Sequence, residues 1–137
     1  MIVVTGATGR IGRFVQRIAA DDGRTDLLFQ TRRAVPPNPS WFHWKPGEPV
    51  GEGLLDGAQV LLHLAGATPT TEGDFDEADY RAANVDLSLS VLKAAAAHDV
   101  KRVLFASSAS IYGRPRFDGQ VFSEADEPAP LSAYGRS

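Results

Sequence analysis

Thr5-Gly6-Ala7-Thr8-Gly9-Arg10-Ile11-Gly12 is the stretch whose reading decides the fold. It follows the short apolar run Ile2-Val3-Val4, and from Arg10 to Asp21 the apolar residues Ile11, Val15, Ile18 and Ala19 recur at helical spacing. A buried parallel strand, a glycine turn and a helix are expected in that order. Gly23 stands where a C′ glycine would end the helix. Gly6 permits the tight turn, and Gly9 removes a side chain where a pyrophosphate must approach the backbone. Gly12 lets helix and strand pack closely. Free N–H groups at the helix start offer donors and partial positive charge to phosphate, with Thr8, Arg10 and Ile11 in the expected binding set. The plainer alternative is a glycine-rich connection that binds nothing. A strand before and a helix after favour dinucleotide binding.

The alternation continues outward. Asp26–Thr31 reads as a second strand, and Trp41–Trp44 as a weak third after the loop containing Pro36, Pro37 and Pro39. Gln59–Leu64 is a clear fourth strand, stopped by Ala65-Gly66, and the turn-rich stretch before it allows a short helix at Glu52–Leu55. The longest helix is expected from Phe75 to His98. Asp74 and Glu77 resemble a capping box there, and Ala78, Ala82, Val85, Leu89, Leu92 and Ala96 form an apolar stripe. Arg102–Ala106 is a fifth strand, ending in Ser107-Ser108. Strands alternating with helices imply an α/β fold, a doubly wound parallel sheet with helices on both faces. Ligands of such sheets sit beyond the carboxyl ends of the strands. Gly6–Gly12, His63–Gly66 and Ser107–Gly113 all follow expected strands, so they should share one edge.

Composition narrows the function. The 137 residues are the length of one domain, and 14 Lys+Arg against 17 Asp+Glu leave a net charge of −3, which argues against a nucleic-acid partner. The absence of cysteine excludes disulfides, thiol redox pairs and zinc–thiolate sites. The longest mostly apolar run, Ala58–Ala67, is interrupted by Gln59 and His63 and is too short for a bilayer. Met1-Ile2-Val3-Val4 leads straight into the glycine turn, so no signal peptide and a cytoplasmic location are expected. His43, His63 and His98 lie far apart with no carboxylate at ligand spacing, so no metal site is expected. His63 is read as a hydrogen-bonded structural residue, while Leu64, Ala65 and Gly66 line the cofactor through their backbone. Trp41, Phe42 and Trp44 are read as packing aromatics rather than an adenine stack.

The second strand ends Gln30-Thr31-Arg32-Arg33, with no carboxylate to accept hydrogen bonds from a ribose 2′-OH. Guanidinium forks suit a 2′-phosphate, so Arg32 and Arg33, with Arg10 nearby, point to NADP, with NAD as the alternative. The plainer reading is a pair of solvated arginines.

Several further motifs stand in a fixed order: His63-Leu64-Ala65-Gly66, Asn84-Val85, Ser107-Ser108-Ala109-Ser110-Ile111-Tyr112-Gly113 and Leu131-Ser132-Ala133-Tyr134-Gly135. Together with Thr5–Gly12, this order resembles the extended, epimerase/dehydratase-like branch of the short-chain dehydrogenase/reductase superfamily. The resemblance covers the whole chain. It implies a Rossmann-type sheet of strand order 3-2-1-4-5 binding NAD(P), and hydride transfer on a small-molecule substrate such as a sugar nucleotide or similar hydroxyl/carbonyl compound. It also implies catalytic roles for Ser108 and Tyr134, which lie 26 residues apart, and a substrate-facing position for Ser110 and Tyr112. Asn84 would tie the long helix to the neighbouring strands and join the cofactor set with Ala106 and Ser107. A free tyrosine has a pKa of about 10, so acid/base work near neutrality needs it lowered. In the family a Lys four residues after the Tyr does this. That Lys would fall at position 138, beyond Ser137, and the later strands and substrate region are also missing. The expectation is an NAD(P)-binding Rossmann domain over 1–137, the amino-terminal portion of an enzyme, inactive alone and compatible with a homodimer at full length. A non-catalytic NAD(P)-sensing or scaffold protein of the same fold is the alternative.

Overall fold

The computed structural model describes residues 1–33, 40–45, 48–50, 53–70, 74–115, 117–119 and 121–137, and the statements below concern these. The proline-rich loop and the start of the expected Glu52–Leu55 helix lie outside them, and residues 53–57 are turns.

Five parallel strands make one sheet: β1 (Ile2–Thr5), β2 (Leu27–Thr31), β3 (Trp41–His43), β4 (Val60–His63) and β5 (Arg102–Phe105). Their order, β3-β2-β1-β4-β5, is the expected Rossmann-type one. Thr5 pairs with His63, and His63 with Phe105. This register aligns the carboxyl ends of β1, β4 and β5, so the three motif-bearing loops do share one edge.

The strands are apolar on both sides because helices and turns cover both sides. Val3, Leu28 and Leu61 pack with Leu54, Leu55 and Val91, while Val4, Leu27 and Phe29 face the opposite layer with Ala7 and Ala19. Each fully buried Leu or Val contributes about 2 kcal/mol relative to an exposed one. Helix α1 (Arg10–Asp21) lies as expected, and Gly23 follows its end at φ +64°, its N–H donating to the Ala20 carbonyl.

The long helix departs from expectation in three ways. It is α2 (Glu77–Tyr80), a π-helical segment (Arg81–Asp86) and α3 (Leu87–Ala97), with the Leu87 N–H donating to the carbonyl of Ala82, five residues back. Its capping box is not Asp74/Glu77 but Asp76/Asp79: Asp76 Oδ1 accepts the Asp79 N–H at 2.9 Å, and Asp79 Oδ2 accepts the Asp76 N–H at 3.1 Å. An Asp two positions further along closes the same reciprocal pair. Its buried face is Leu87, Ser88, Val91 and Ala95, leaving Ala78, Ala82, Leu89 and Ala96 exposed. The segment is so rich in alanine and leucine that periodicity alone does not select a face, and the extra residue of the π turn shifts the phase. On the open side, Val103, Leu104 and Phe105 of β5 are 39%, 47% and 53% exposed, since nothing described here pairs with that edge.

Candidate functional site

A cleft of about 1000 Å³ opens at the carboxyl edge of the sheet. One wall is the glycine turn (Gly6, Thr8, Gly9), another is Arg32 and Arg33 beyond β2, and the floor is the Leu64–Ala67 backbone after β4. Gly6 has φ +66°, and a Cβ there would lie 2.6 Å from Ala65 N and from Leu64 C. The turn therefore presses against the floor at a distance only glycine allows. At Gly12 a Cβ would stand 2.3 Å from the Ala7 carbonyl oxygen, so this glycine serves packing of α1 on the turn rather than the cleft. No side chain caps α1 and no acidic residue occupies its first turn. Its leading N–H groups remain available to an anion, which is the donor set a pyrophosphate needs.

Two glutamines that no sequence motif marks brace this wall. Gln30 Oε1 accepts the Gly6 N–H at 3.1 Å while its Nε2 donates to the Trp44 carbonyl at 2.7 Å, and Gln16 Nε2 donates to the Ala7 carbonyl at 2.7 Å. A lone amide within an otherwise apolar buried strand was the available signal for Gln30. Trp44 is 2% exposed, its Nε1–H shared between the carbonyls of Glu48 and Pro49, so it packs beneath the cleft. Trp41 packs on Phe29 with ring centroids 5.4 Å apart.

His63 is 1% exposed. Its Nδ1 lies 2.7 Å from Thr5 Oγ1, its Nε2 lies 3.0 Å from Ser88 Oγ, and its ring stacks on Phe105. Burial pushes its pKa down from 6.5 to about 4. The folded chain thus refuses a proton that the unfolded chain accepts below pH 6.5. The resulting stability is fully present above that pH and is lost as pH falls toward 4, by up to about 3 kcal/mol. Denaturant titrations over this range should show the loss, and His63→Gln should flatten it. An unchanged pH slope in the variant would assign the effect elsewhere.

The π segment carries Asn84 to the far side of the floor. Its Oδ1 accepts the Ala67 N–H at 2.7 Å, and its Nδ2 donates to the Ala67 carbonyl at 3.1 Å and to Ser137 Oγ at 2.8 Å. Asn84 therefore grips the floor loop and the chain beyond helix α4 (Ala133–Arg136) without lining the cleft. Arg136 pairs in two-pronged fashion with Glu77, which takes no part in the capping box, at 3.0 and 3.1 Å. Tyr134, half-buried on α4, has its ring 5.8 Å from Tyr80. Ser108 caps a 3₁₀ turn (Ala109–Tyr112), its Oγ accepting the Ser110 N–H at 3.2 Å. A Cβ at Gly135 would come within 2.8 Å of the Ser110 carbonyl oxygen, so α4 abuts this turn and brings the Tyr134 and Ser108 segments together. Tyr112 is stacked on Phe122 at 5.1 Å, whereas Ser110 lines a second, small hollow with Arg114 and Ser132.

Of the expected cofactor residues, Gly6, Thr8, Gly9, Arg32, Arg33, Leu64, Ala65 and Gly66 line the cleft. Arg10 and Ile11 are exposed at the start of α1, the Ala106 N–H is spent on the His63 carbonyl, and Ser107 is exposed after β5. Phe75, just before α2, and the helix residues Asp79, Ala82, Asp86 and Ser90 line the cleft without having been expected there from the sequence. Among the described residues no group of three His, Cys, Asp or Glu is placed to hold a metal ion, and no helix is long and apolar enough to cross a membrane.

A glycine turn pressed on the ends of adjoining parallel strands, beneath an uncapped helix start, defines a Rossmann-type α/β protein. The chain belongs to the NAD dependent epimerase/dehydratase family, whose profile matches residues 2–137. It is 29% identical over 140 residues to a UDP-glucose 4-epimerase of Corynebacterium glutamicum, covering 98% of this chain and 42% of that protein. It is 28% identical to an L-arabinose 1-dehydrogenase (NAD(P)(+)) of Haloferax volcanii, covering 99% of this chain and 56% of that one. Among solved structures, MoeE5 in complex with UDP-glucose and NAD superposes with a TM-score of 0.82 at 30% identity, over 98% of this chain and 44% of that chain. This chain thus spans about half the length of the relatives it matches, or less.

Proposed function

We propose that residues 1–137 form the dinucleotide-binding domain of an NADP-using enzyme of the epimerase, dehydratase or dehydrogenase type, acting on a sugar nucleotide or similar hydroxyl/carbonyl compound. The observation that carries this reading is the cleft that sets Gly6, Thr8 and Gly9 opposite Arg32 and Arg33. The substrate class is supported by relatives named as UDP-glucose 4-epimerases and by the complex of MoeE5 with UDP-glucose.

NADP is favoured over NAD by the charge after β2. Thr31 Oγ1 accepts the Arg33 N–H at 3.1 Å, and the Arg32 carbonyl accepts from His43 Nε2 at 3.1 Å. The backbone of both arginines is therefore fixed while their side chains face solvent at the mouth of the cleft. A 2′-phosphate there gains charge-assisted hydrogen bonds, each worth about 1.5–3 kcal/mol, whereas a 2′-hydroxyl gains little. Arg32→Ala together with Arg33→Ala should weaken NADP binding by about tenfold or more and leave NAD binding nearly unchanged. Titration of both cofactors checks this; equal affinity for the two in the parent chain, with no loss in the variant, would refute it.

When bound, the dinucleotide supplies the nicotinamide carbon that takes up or returns a hydride. In this reading the Tyr134 phenol exchanges a proton with the substrate oxygen. Ser108 uses a lone pair on the Ser110 N–H, which leaves its hydroxyl proton to donate to that same oxygen. Ser110 and Tyr112 lie on the same turn, on the substrate side.

A further inference from the structure

We infer that Thr5 is a positioning residue for the cleft, its hydroxyl aimed by a buried Ser88–His63–Thr5 chain at the backbone N–H groups of the cleft floor. The inference rests on the dinucleotide reading above. Thr5 is fully buried, and its Oγ1 accepts from Leu64 N at 3.3 Å and from Ala65 N at 3.4 Å. The same oxygen lies 2.7 Å from His63 Nδ1. A hydroxyl oxygen has two lone pairs and one proton, and a backbone N–H can only donate. With both lone pairs engaged, the Thr5 proton goes to Nδ1. The neutral imidazole therefore carries its own proton on Nε2 and donates it to Ser88 Oγ at 3.0 Å. The ring of Phe105 from β5 stacks on the imidazole, and among the described residues burial, rather than a charged neighbour, shapes the titration of the ring.

Donation thus runs from the Leu64 and Ala65 N–H groups through Thr5 of β1 and His63 of β4 to Ser88 of α3, and Gly6 is pressed on the peptide joining Leu64 to Ala65 at a would-be Cβ distance of 2.6 Å. Moving Leu64 and Ala65 moves the floor and the seat of the glycine turn together. Protonating His63 places a second donor opposite Thr5 Oγ1–H, so the hydroxyl must turn and release the floor.

The test measures NADPH and NADH affinity in the parent chain, Thr5→Val, Thr5→Ser and Ser88→Ala, with unfolding midpoints recorded alongside. Thr5→Val is expected to weaken binding about tenfold or more while still folded, and Thr5→Ser to restore it within about threefold. Affinity in the parent chain should fall as pH drops toward about 4, where the buried ring takes up its proton, and lose that dependence in Thr5→Val. A merely structural role would move the midpoints and leave the affinity and its pH profile in place. Nitrogen-15 spectra of His63 should show the proton on Nε2, a readout that survives even where Thr5→Val does not fold. A proton on Nδ1, or affinity in Thr5→Val or Ser88→Ala equal to the parent's, would overturn the inference. A parent chain that binds neither dinucleotide overturns the functional reading, and this inference with it.

Discussion

Gly6→Ala is expected to abolish dinucleotide binding and to cost about 3 kcal/mol or more of stability. Two independent terms act at one atom. The φ of +66° is a conformation that an L side chain adopts only with strain, and the added Cβ would sit 2.6–2.7 Å from the peptide joining Leu64 to Ala65. The obstructing atoms are backbone held by Thr5 and by the β1–β4 pairing, so they cannot turn aside as a flexible side chain would. Gly9→Ala provides the contrast. Its φ is −73° and its added Cβ would meet only the Gly6 carbonyl oxygen at 3.2 Å, so a much smaller stability loss is expected there. Denaturant unfolding and cofactor titration of the two variants measure the difference. A Gly6→Ala chain as stable as Gly9→Ala would show that the turn relaxes freely.

Tyr134→Phe is expected to lower hydride-transfer turnover in the active enzyme by about 10²–10⁴-fold while leaving dinucleotide affinity unchanged. The substitution removes one oxygen and keeps the ring that packs 5.8 Å from Tyr80. Helix α4 should stay in place, since it is held by Arg136 on Glu77 and by Ser137 on Asn84 rather than by the phenol. Single-turnover measurement separates chemistry from binding; unimpaired hydride transfer would remove Tyr134 from the reaction.

The fold was legible in the sequence because its signals were local. Short apolar runs stopped by glycine or serine marked β1, β4 and β5, apolar or aromatic runs without such a stop marked β2 and β3, and the loop motifs marked the shared edge. Where the signal was not local, the reading drifted. The face of α3 depends on Leu87 and Val91 meeting Leu61 and Val3, which no period within an alanine-rich stretch reveals. The cap depends on which of Asp74 and Asp76 meets a partner three residues on. The cleft was likewise half legible: glycines and arginines announced themselves by type, but Gln30, Gln16 and Thr5 act through bonds to residues 24, 9 and about 60 positions away. Ala106 and Ser107 stand in the motif-bearing loop after β5 but are not among the residues lining the cleft, since membership of a motif does not fix where a backbone group lies.

The π-helical segment Arg81–Asp86 has a consequence for how this chain tolerates changes in length. With Leu87 bonded to Ala82, the segment contains one residue more than the α-helical ladder requires. Deleting Val85 or Asp86 would restore ordinary spacing with the upstream residues near their present directions, whereas a uniform α-helix wound through all of the residues would rotate everything upstream by about 100° against α3. In that uniform helix Ser88 would stay beneath His63, but Asn84 would swing off Ala67, and Glu77 off Arg136. The extra residue thus works as a phase adjuster: it lets one rod present two grips in directions that a uniform helix could not supply together.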